Sequence, residues 1–269
     1  FNERIRLAGK LIPDELLAPL LEEVLDASTG IEPSFFEATT AAAFLAFSRL
    51  PADALVLEVG MGGRLDATNV VKRPVACGIT ALGLDHQQWL GPTLPAIAAE
   101  KAGIAKSGVP LVTLRYERGA SARISEIASA AGAQLLPLGG GWDFAVLGNR
   151  LSYRDRLGEL SFPLPLLQGE HQASNAALAI AMLRHQDSVP VSDSALAAAM
   201  TCADWPARMQ RLRPGPLTGA RAVWLDGAHN ADAAQALART AEATFGTERA
   251  NLIFASLRTK DPTAMLSAF

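Results

Sequence analysis

The sequence predicts an α/β fold with a parallel sheet covered by helices on both faces. Three observations carry this. Short continuous apolar runs at residues 54–57, 75–80 and 109–114 have the length and composition of strands buried on both sides. Helical patterns separate them, at residues 94–105 and 120–131 among others. Polar residues gather where two of the runs end, Glu58 after the first and Asp85-His86 after the second. In sheets of this kind ligands sit outside the carboxyl ends of the strands.

The elements follow in order. Residues 4–12 alternate apolar and polar around Gly9 and predict a short hairpin. Pro13-Asp14 opens an amphipathic helix to about residue 27, and residues 36–49 form a second helix rich in Ala and Phe. The strand at 54–57 leads into the glycine-rich turn at 60–63, and residues 134–138 are extended. Residues 144–154 read as a hairpin around Gly148-Asn149, and 162–167 as a further extended piece. Helices at 169–184 and 194–200 precede a boundary placed at 203–206. Beyond it a strand at 222–225, a helix at 231–243 and a strand at 252–255 predict the start of a second, Rossmann-like α/β unit. The predicted division is therefore 1–203 and 204–269.

Composition sets limits. Of 269 residues, 49% are hydrophobic and 19% charged, which supplies a packed core and excludes a disordered chain. A formal net charge of −3 gives no general attraction for nucleic acid or an anionic membrane. An anionic substrate would need a local positive site. No apolar run reaches the length of a membrane span. Two isolated cysteines, Cys77 and Cys202, make no metal-binding pair and suit a reducing cytosol.

Five constellations carry chemistry. The first is Leu57-Glu58-Val59-Gly60-Met61-Gly62-Gly63-Arg64-Leu65-Asp66-Ala67-Thr68-Asn69. Its glycines alone could be a plain structural turn, but Glu58 at a strand end is placed for a cation. The second joins Leu84-Asp85-His86 to Glu100-Lys101-Ala102-Gly103-Ile104. Lys101 taken alone reads equally as a helix-surface lysine. The third is Gly169-Glu170-His171-Gln172-Ala173-Ser174-Asn175, where His171 and Asn175 stand one helical turn apart. The fourth is Trp205-Pro206-Ala207-Arg208. The fifth is Asp226-Gly227-Ala228-His229-Asn230, whose Asn230 could simply cap a helix.

Together with Phe36-Glu37 before the Ala-rich helix, these motifs resemble, in order and spacing, the dihydrofolate synthase/folylpolyglutamate synthases of the Mur ligase superfamily. The resemblance covers essentially the whole chain. It implies a Mur-ligase-like central domain and a partial carboxyl-terminal domain. The implied reaction uses ATP and Mg²⁺ to join L-glutamate to dihydropteroate, or to the γ-carboxylate of a folate, through an acyl phosphate. It implies Glu58 and His86 as magnesium ligands, and Lys101 as a carbamylated lysine acting in catalysis with His229. Asn175, Arg208 and Asp226 would contact ATP. Phe36, Glu37, Leu65, Asp66 and Ala67 would face the pteroate. The expected protein is a cytoplasmic monomer with small-molecule partners only.

The sequence departs from the family at one place. No Gly-Lys-Ser/Thr phosphate loop occurs, since residues 60–63 are followed by neither Lys nor Ser/Thr of the needed kind. The expectation is an incomplete portion of the protein, unable to turn over ATP alone. A Mur-type ligase with another acceptor and a non-catalytic folate- or nucleotide-binding module remain alternatives.

Overall fold

A computed structural model describes residues 1–216, 218–257 and 260–269. The chain divides into two compact units, residues 1–73 and 74–269. The expected boundary at 203/204 falls inside the second.

The first unit begins with a hairpin, β1 (Arg6–Leu7) and β2 (Lys10–Leu11), paired antiparallel about Ala8-Gly9, both at positive φ. Two helices follow, α1 (Asp14–Ala27) and α2 (Phe35–Arg49). Ile5 and Ile12 from the hairpin pack with Leu17, Leu20 and Val24 of α1 and with Ala42 and Ala46 of α2. The small alanines let the helices approach closely. Ser34 caps α2 through the Glu37 N–H, and the Glu37 carboxylate accepts the Ser34 N–H, a reciprocal capping box.

The second unit is built on a parallel sheet, β3 (Cys77–Ile79), β4 (Pro110–Thr113) and β5 (Gln134–Pro137), in register Cys77↔Leu111 and Leu111↔Leu135. Between these strands run α3 (Gln87–Leu90), α4 (Leu94–Ala102) and α5 (Arg118–Ala131). Side-chain alternation sorts the two faces. Cys77, Ile79 and Leu111 pack with Ala98, Ala102, Ala120, Ile124 and Ala128 of α4 and α5. Val112 points the other way, onto α6 (Glu170–Arg184). Gly78 shares that face, and a Cβ there would come 2.4 Å from Met182 Sδ, so its lack of side chain lets α6 pack against the sheet.

A three-stranded antiparallel meander follows, β6 (Trp142–Leu147), β7 (Arg150–Asp155) and β8 (Gly158–Pro163). Trp142, Leu151, Tyr153 and Phe162 pack onto α6 and onto Leu196 and Met200 of α7 (Asp193–Cys202). The hairpin predicted at 144–154 is present, and the extended piece predicted at 162–167 is a strand set earlier. After α7 come β9 (Gln210–Arg211), β10 (Trp224–Leu225), α8 (Ala231–Phe245) and α9 (Pro262–Leu266).

Three predicted strands differ. Residues 54–57 form no strand, and Val56 is 92% exposed. Residues 252–255 form none either, with Ile253 97% exposed. An apolar run becomes a buried strand only when neighbours accept its backbone hydrogen bonds and cover its faces, and neither run has a paired neighbour among the described residues. The strand predicted at 222–225 shrinks to two residues and pairs antiparallel with β9.

Candidate functional site

In the first unit, Asp66 organises the glycine-rich turn. Its Oδ2 accepts the Met61 N–H at 2.9 Å, and its Oδ1 accepts the N–H and hydroxyl of Thr68 at 2.9 and 2.6 Å. Asp66 thereby caps a 3-10 turn at Ala67–Val70. Asn69 donates to the Arg64 carbonyl at 3.1 Å. Leu65 is held at the tip, 80% exposed, and Glu58 is exposed as well. The ring of Phe36 lies on the backbone of Gly60, where a Cβ would sit 2.4 Å from Phe36 Cζ. This unit therefore brings Phe36, Leu65, Asp66 and Ala67 into one loop-and-helix neighbourhood. Glu37 is engaged in capping, and hydrogen bonding to Ser34 holds its carboxyl below the usual range.

The second unit is organised around Asp85. Lys260 Nζ donates to Asp85 Oδ1 at 2.5 Å, and the His86 N–H reaches the same oxygen at 2.8 Å. Asn230 Nδ2 donates to Oδ2 at 3.2 Å, and His229 Nε2 lies 3.5 Å from that oxygen. Burial alone would raise the Asp85 carboxyl, but the hydrogen bonds from Lys260, Asn230 and the His86 backbone hold it at about 2. His86 sits at the head of α3 in the left-handed region, φ 52° and ψ 33°, which is uncommon for a residue with a side chain. His229 Nδ1 lies 3.0 Å from the Gly227 carbonyl. A carbonyl only accepts, so this contact is a hydrogen bond when Nδ1 carries the proton, while Nε2 faces Asp85.

Lys101 lies in the last turn of α4 and is half-buried. Burial pulls its ammonium below the ordinary lysine range, and the charge of Asp85 opposes that pull. The helix-surface reading of Lys101 does not describe this environment.

Asp226 anchors a second cluster. Its Oδ2 accepts the Met209 N–H and its Oδ1 the Ala228 N–H, each at 2.8 Å. The Gly227 N–H returns to the Ala207 carbonyl at 2.9 Å. Arg208 stands exposed between two left-handed residues, Ala207 and Met209, and its guanidinium lies 3.2 Å from where a Gly227 Cβ would be. At the start of α6, Asn175 donates to Gln172 Oε1 at 3.3 Å, and Gln172 Nε2 lies 3.1 Å from His171 Nε2. Desolvation lowers the His171 pKa, with Asp226 opposing and Arg208 assisting. Asn230 caps α8 through the Ala233 N–H, as its alternative reading held, and also reaches Asp85.

Asp85, Lys260 and Asp232 take part in this site without a sequence motif that assigns them a role. Lysine is scarce in this chain, with five in 269 residues, and that scarcity is the one sequence signal that marks Lys260.

No protein-family model matches the chain. It is 35% identical over 278 residues to the dihydrofolate synthase/folylpolyglutamate synthase of Bacillus subtilis, an alignment covering 97% of this chain and 63% of that protein. It superposes on E. coli FolC in complex with DHPP and ADP with a TM-score of 0.87 at 32% identity, covering 100% of this chain and 62% of the other. A mutant of L. casei FPGS superposes with a TM-score of 0.81 at 30% identity, covering 100% and 68%. The chain belongs to the dihydrofolate synthase/folylpolyglutamate synthase family. It has the Mur-ligase fold of those structures. It spans about a third to two thirds of the length of the relatives it matches. Among the described residues no helix is long and apolar enough to cross a membrane.

Proposed function

We propose that this chain carries the ligase chemistry of its family, adding L-glutamate to dihydropteroate or to the γ-carboxylate of a folate at the expense of ATP. The observation that carries the reading is the likeness over the whole chain to an enzyme bound to DHPP and ADP. The local geometry adds support through a half-buried lysine, Lys101, whose charge is destabilised by burial.

In this reading the acceptor carboxylate attacks the γ-phosphorus of ATP, ADP leaves, and an acyl phosphate forms. The amine of glutamate then attacks the carbonyl carbon, inorganic phosphate leaves, and the amine gives up a proton. Phe36, Leu65, Asp66 and Ala67 would hold the pteroate, with Phe36 offering an aromatic face. Glu37 would contribute through its place in the α2 cap. Asn175, Arg208 and Asp226 would orient the nucleotide, Arg208 as the cation for its phosphates. His229 would present Nε2 beside Asp85, as a donor to a phosphate oxygen when that nitrogen is protonated.

Among the described residues no group of three His, Cys, Asp or Glu side chains could hold a metal. Mg²⁺ takes one or two protein ligands and fills its shell with water and substrate phosphate. Glu58 and His86 would be those ligands, though imidazole is an uncommon partner for so hard a cation. Bound there, Mg²⁺ would neutralise the charge developing on the phosphates. Lys101, as a neutral amine, would add to CO₂ with loss of a proton, turning a cation that repels the metal into an anionic oxygen donor.

We place the protein in the cytosol as a monomer, and take residues 1–203 and 204–269 as the functional division. The test is turnover by the full-length gene product with ATP, Mg²⁺, glutamate and dihydropteroate. Formation of dihydrofolate and ADP together supports the reading. Nucleotide binding without either product returns the chain to the class of binding modules. Turnover only with another acceptor makes it a different Mur-type ligase.

A further inference from the structure

The loop after β3 and the start of α8 exchange carboxylates. Asp232, in the first turn of α8, accepts the Leu84 N–H at 3.1 Å. Asp85, in the loop, accepts from Asn230, which caps α8, at 3.2 Å. The two contacts run in opposite directions across one gap, 145 and 148 residues apart in sequence. Gly83 makes the approach possible, because a Cβ there would lie 2.5 Å from Asp232 Oδ2. Lys260 closes the arrangement. Its side chain is 16% exposed, and its ammonium meets Asp85 Oδ1 at 2.5 Å, the oxygen that also fixes the His86 N–H.

We propose that Asp85, Lys260 and Asp232 form a clasp that sets the positions of His86 and His229, and are positioning residues of the ligase site. The inference rests on the ligase reading for its kinetic consequence, not for its geometry. Asp85 joins both histidines to one carboxylate. It bonds the backbone of His86, and its other oxygen faces His229 Nε2 at 3.5 Å. The left-handed backbone of His86 persists only where surrounding contacts over-determine it, and the Asp85 contact is one of these. Without Lys260 the half-buried carboxylate would lose its counter-charge and its reason to stay. The ion pair thus ties the segment before α9 to a loop 175 residues earlier.

The experiment compares Lys260→Met with Lys260→Arg in the full-length gene product, by steady-state kinetics and by hydrogen exchange at the Leu84 and His86 amides. Lys260→Met is expected to lower kcat about 10- to 100-fold, the usual effect of losing a residue that orients a ligand, with KM for the pteroate acceptor little changed. Exchange at Leu84 and His86 should accelerate while Leu111 and Val112 in β4 keep their protection. Lys260→Arg, which keeps the charge, should recover most of kcat. Unchanged exchange at Leu84 and His86 in Lys260→Met would overturn the clasp. So would loss of protection throughout β4 in both variants, which would mark a general role in folding. Absence of turnover in the unmutated protein would refute the ligase reading alone, and the exchange comparison would still decide the clasp.

Discussion

The glycine-rich loop of the first unit and the loop after β3 in the second both end in an aspartate, and they are held in opposite ways. Asp66 binds Met61 and Thr68, five and two residues away. Asp85 binds Lys260 and Asn230, 175 and 145 residues away. The hydrogen bonds that shape the first loop come from its own sequence. The second takes its shape from the far end of the chain. A local motif can therefore be read from residues in a row, whereas a remotely held loop shows only its near half.

Asp155 offers the hardest test of what remote carboxylates contribute. Its buried side chain takes two hydrogen bonds from Arg184, at 2.8 and 3.0 Å, and one from Tyr153 at 3.0 Å, fastening the meander to the end of α6. Asp155→Ala leaves Arg184, only 13% exposed, with no carboxylate but the exposed Asp193 at 3.7 Å, and should destabilise the protein by about 3 kcal/mol or more. Urea denaturation checks this. A loss under about 1 kcal/mol would mean that remote pairing contributes no more here than a surface ion pair.

Gly60→Ala comes next. The added methyl would meet the Phe36 ring rather than the end of a flexible chain, at an expected cost of about 1–3 kcal/mol. Gly83→Ala meets only the tip of the Asp232 carboxylate, which can swing away, and should cost less. It should nevertheless expose the Leu84 amide to exchange. Equal stability losses at the two glycines would remove the contrast. Asp66→Ala should cost about 1–2 kcal/mol through three lost hydrogen bonds, with exchange changes confined to residues 61–69. The smallest effect is expected at a purely local cap far from either loop, where Ser192→Ala at the head of α7 should cost about 1 kcal/mol.

A pH series sharpens the same comparison. His185 lies beside Asp155, buried, with both ring nitrogens lacking a hydrogen-bond partner. Burial lowers its pKa, Asp155 opposes, and Arg156 and Arg184 add to the lowering. The folded state therefore binds fewer protons than the unfolded one as pH falls below 6.5, and stability falls with it until the folded pKa is passed. At lower pH Asp155 contributes a loss of the same sign. Burial raises its carboxyl, but the Arg184, Leu157 and Tyr153 hydrogen bonds outweigh that and depress it overall. His185→Phe should flatten the melting-temperature profile just below pH 6.5. A slope unchanged from that of the parent would assign the acid sensitivity elsewhere.

The parallel sheet and its helices were legible because continuous apolar runs and helical periodicity are local signals, and the first hairpin of the meander because of its alternation and its Gly148-Asn149 turn. β3, β4 and β5 stand where the runs at 75–80, 109–114 and 134–138 placed them. Residues 54–57 and 252–255 carried the same signal and form no strand, because a strand also requires a neighbour and no single run reports one. The motifs gave His86, His229, Asn175, Arg208 and Asp226, and the structure groups His86 and His229 at Asp85. Asp232 and Lys260 carried no local signature, since their meaning lies in the residues they reach.

In the proposed reaction the acceptor carboxylate is phosphorylated before glutamate attacks. The direct measurement supplies dihydropteroate labelled with ¹⁸O in its carboxylate to the full-length gene product, with ATP, Mg²⁺ and glutamate, and analyses the phosphate-containing products by mass spectrometry. Transfer of one labelled oxygen into inorganic phosphate, with ADP unlabelled, is the predicted result. Label in AMP, or product formed with no label in phosphate, would contradict it.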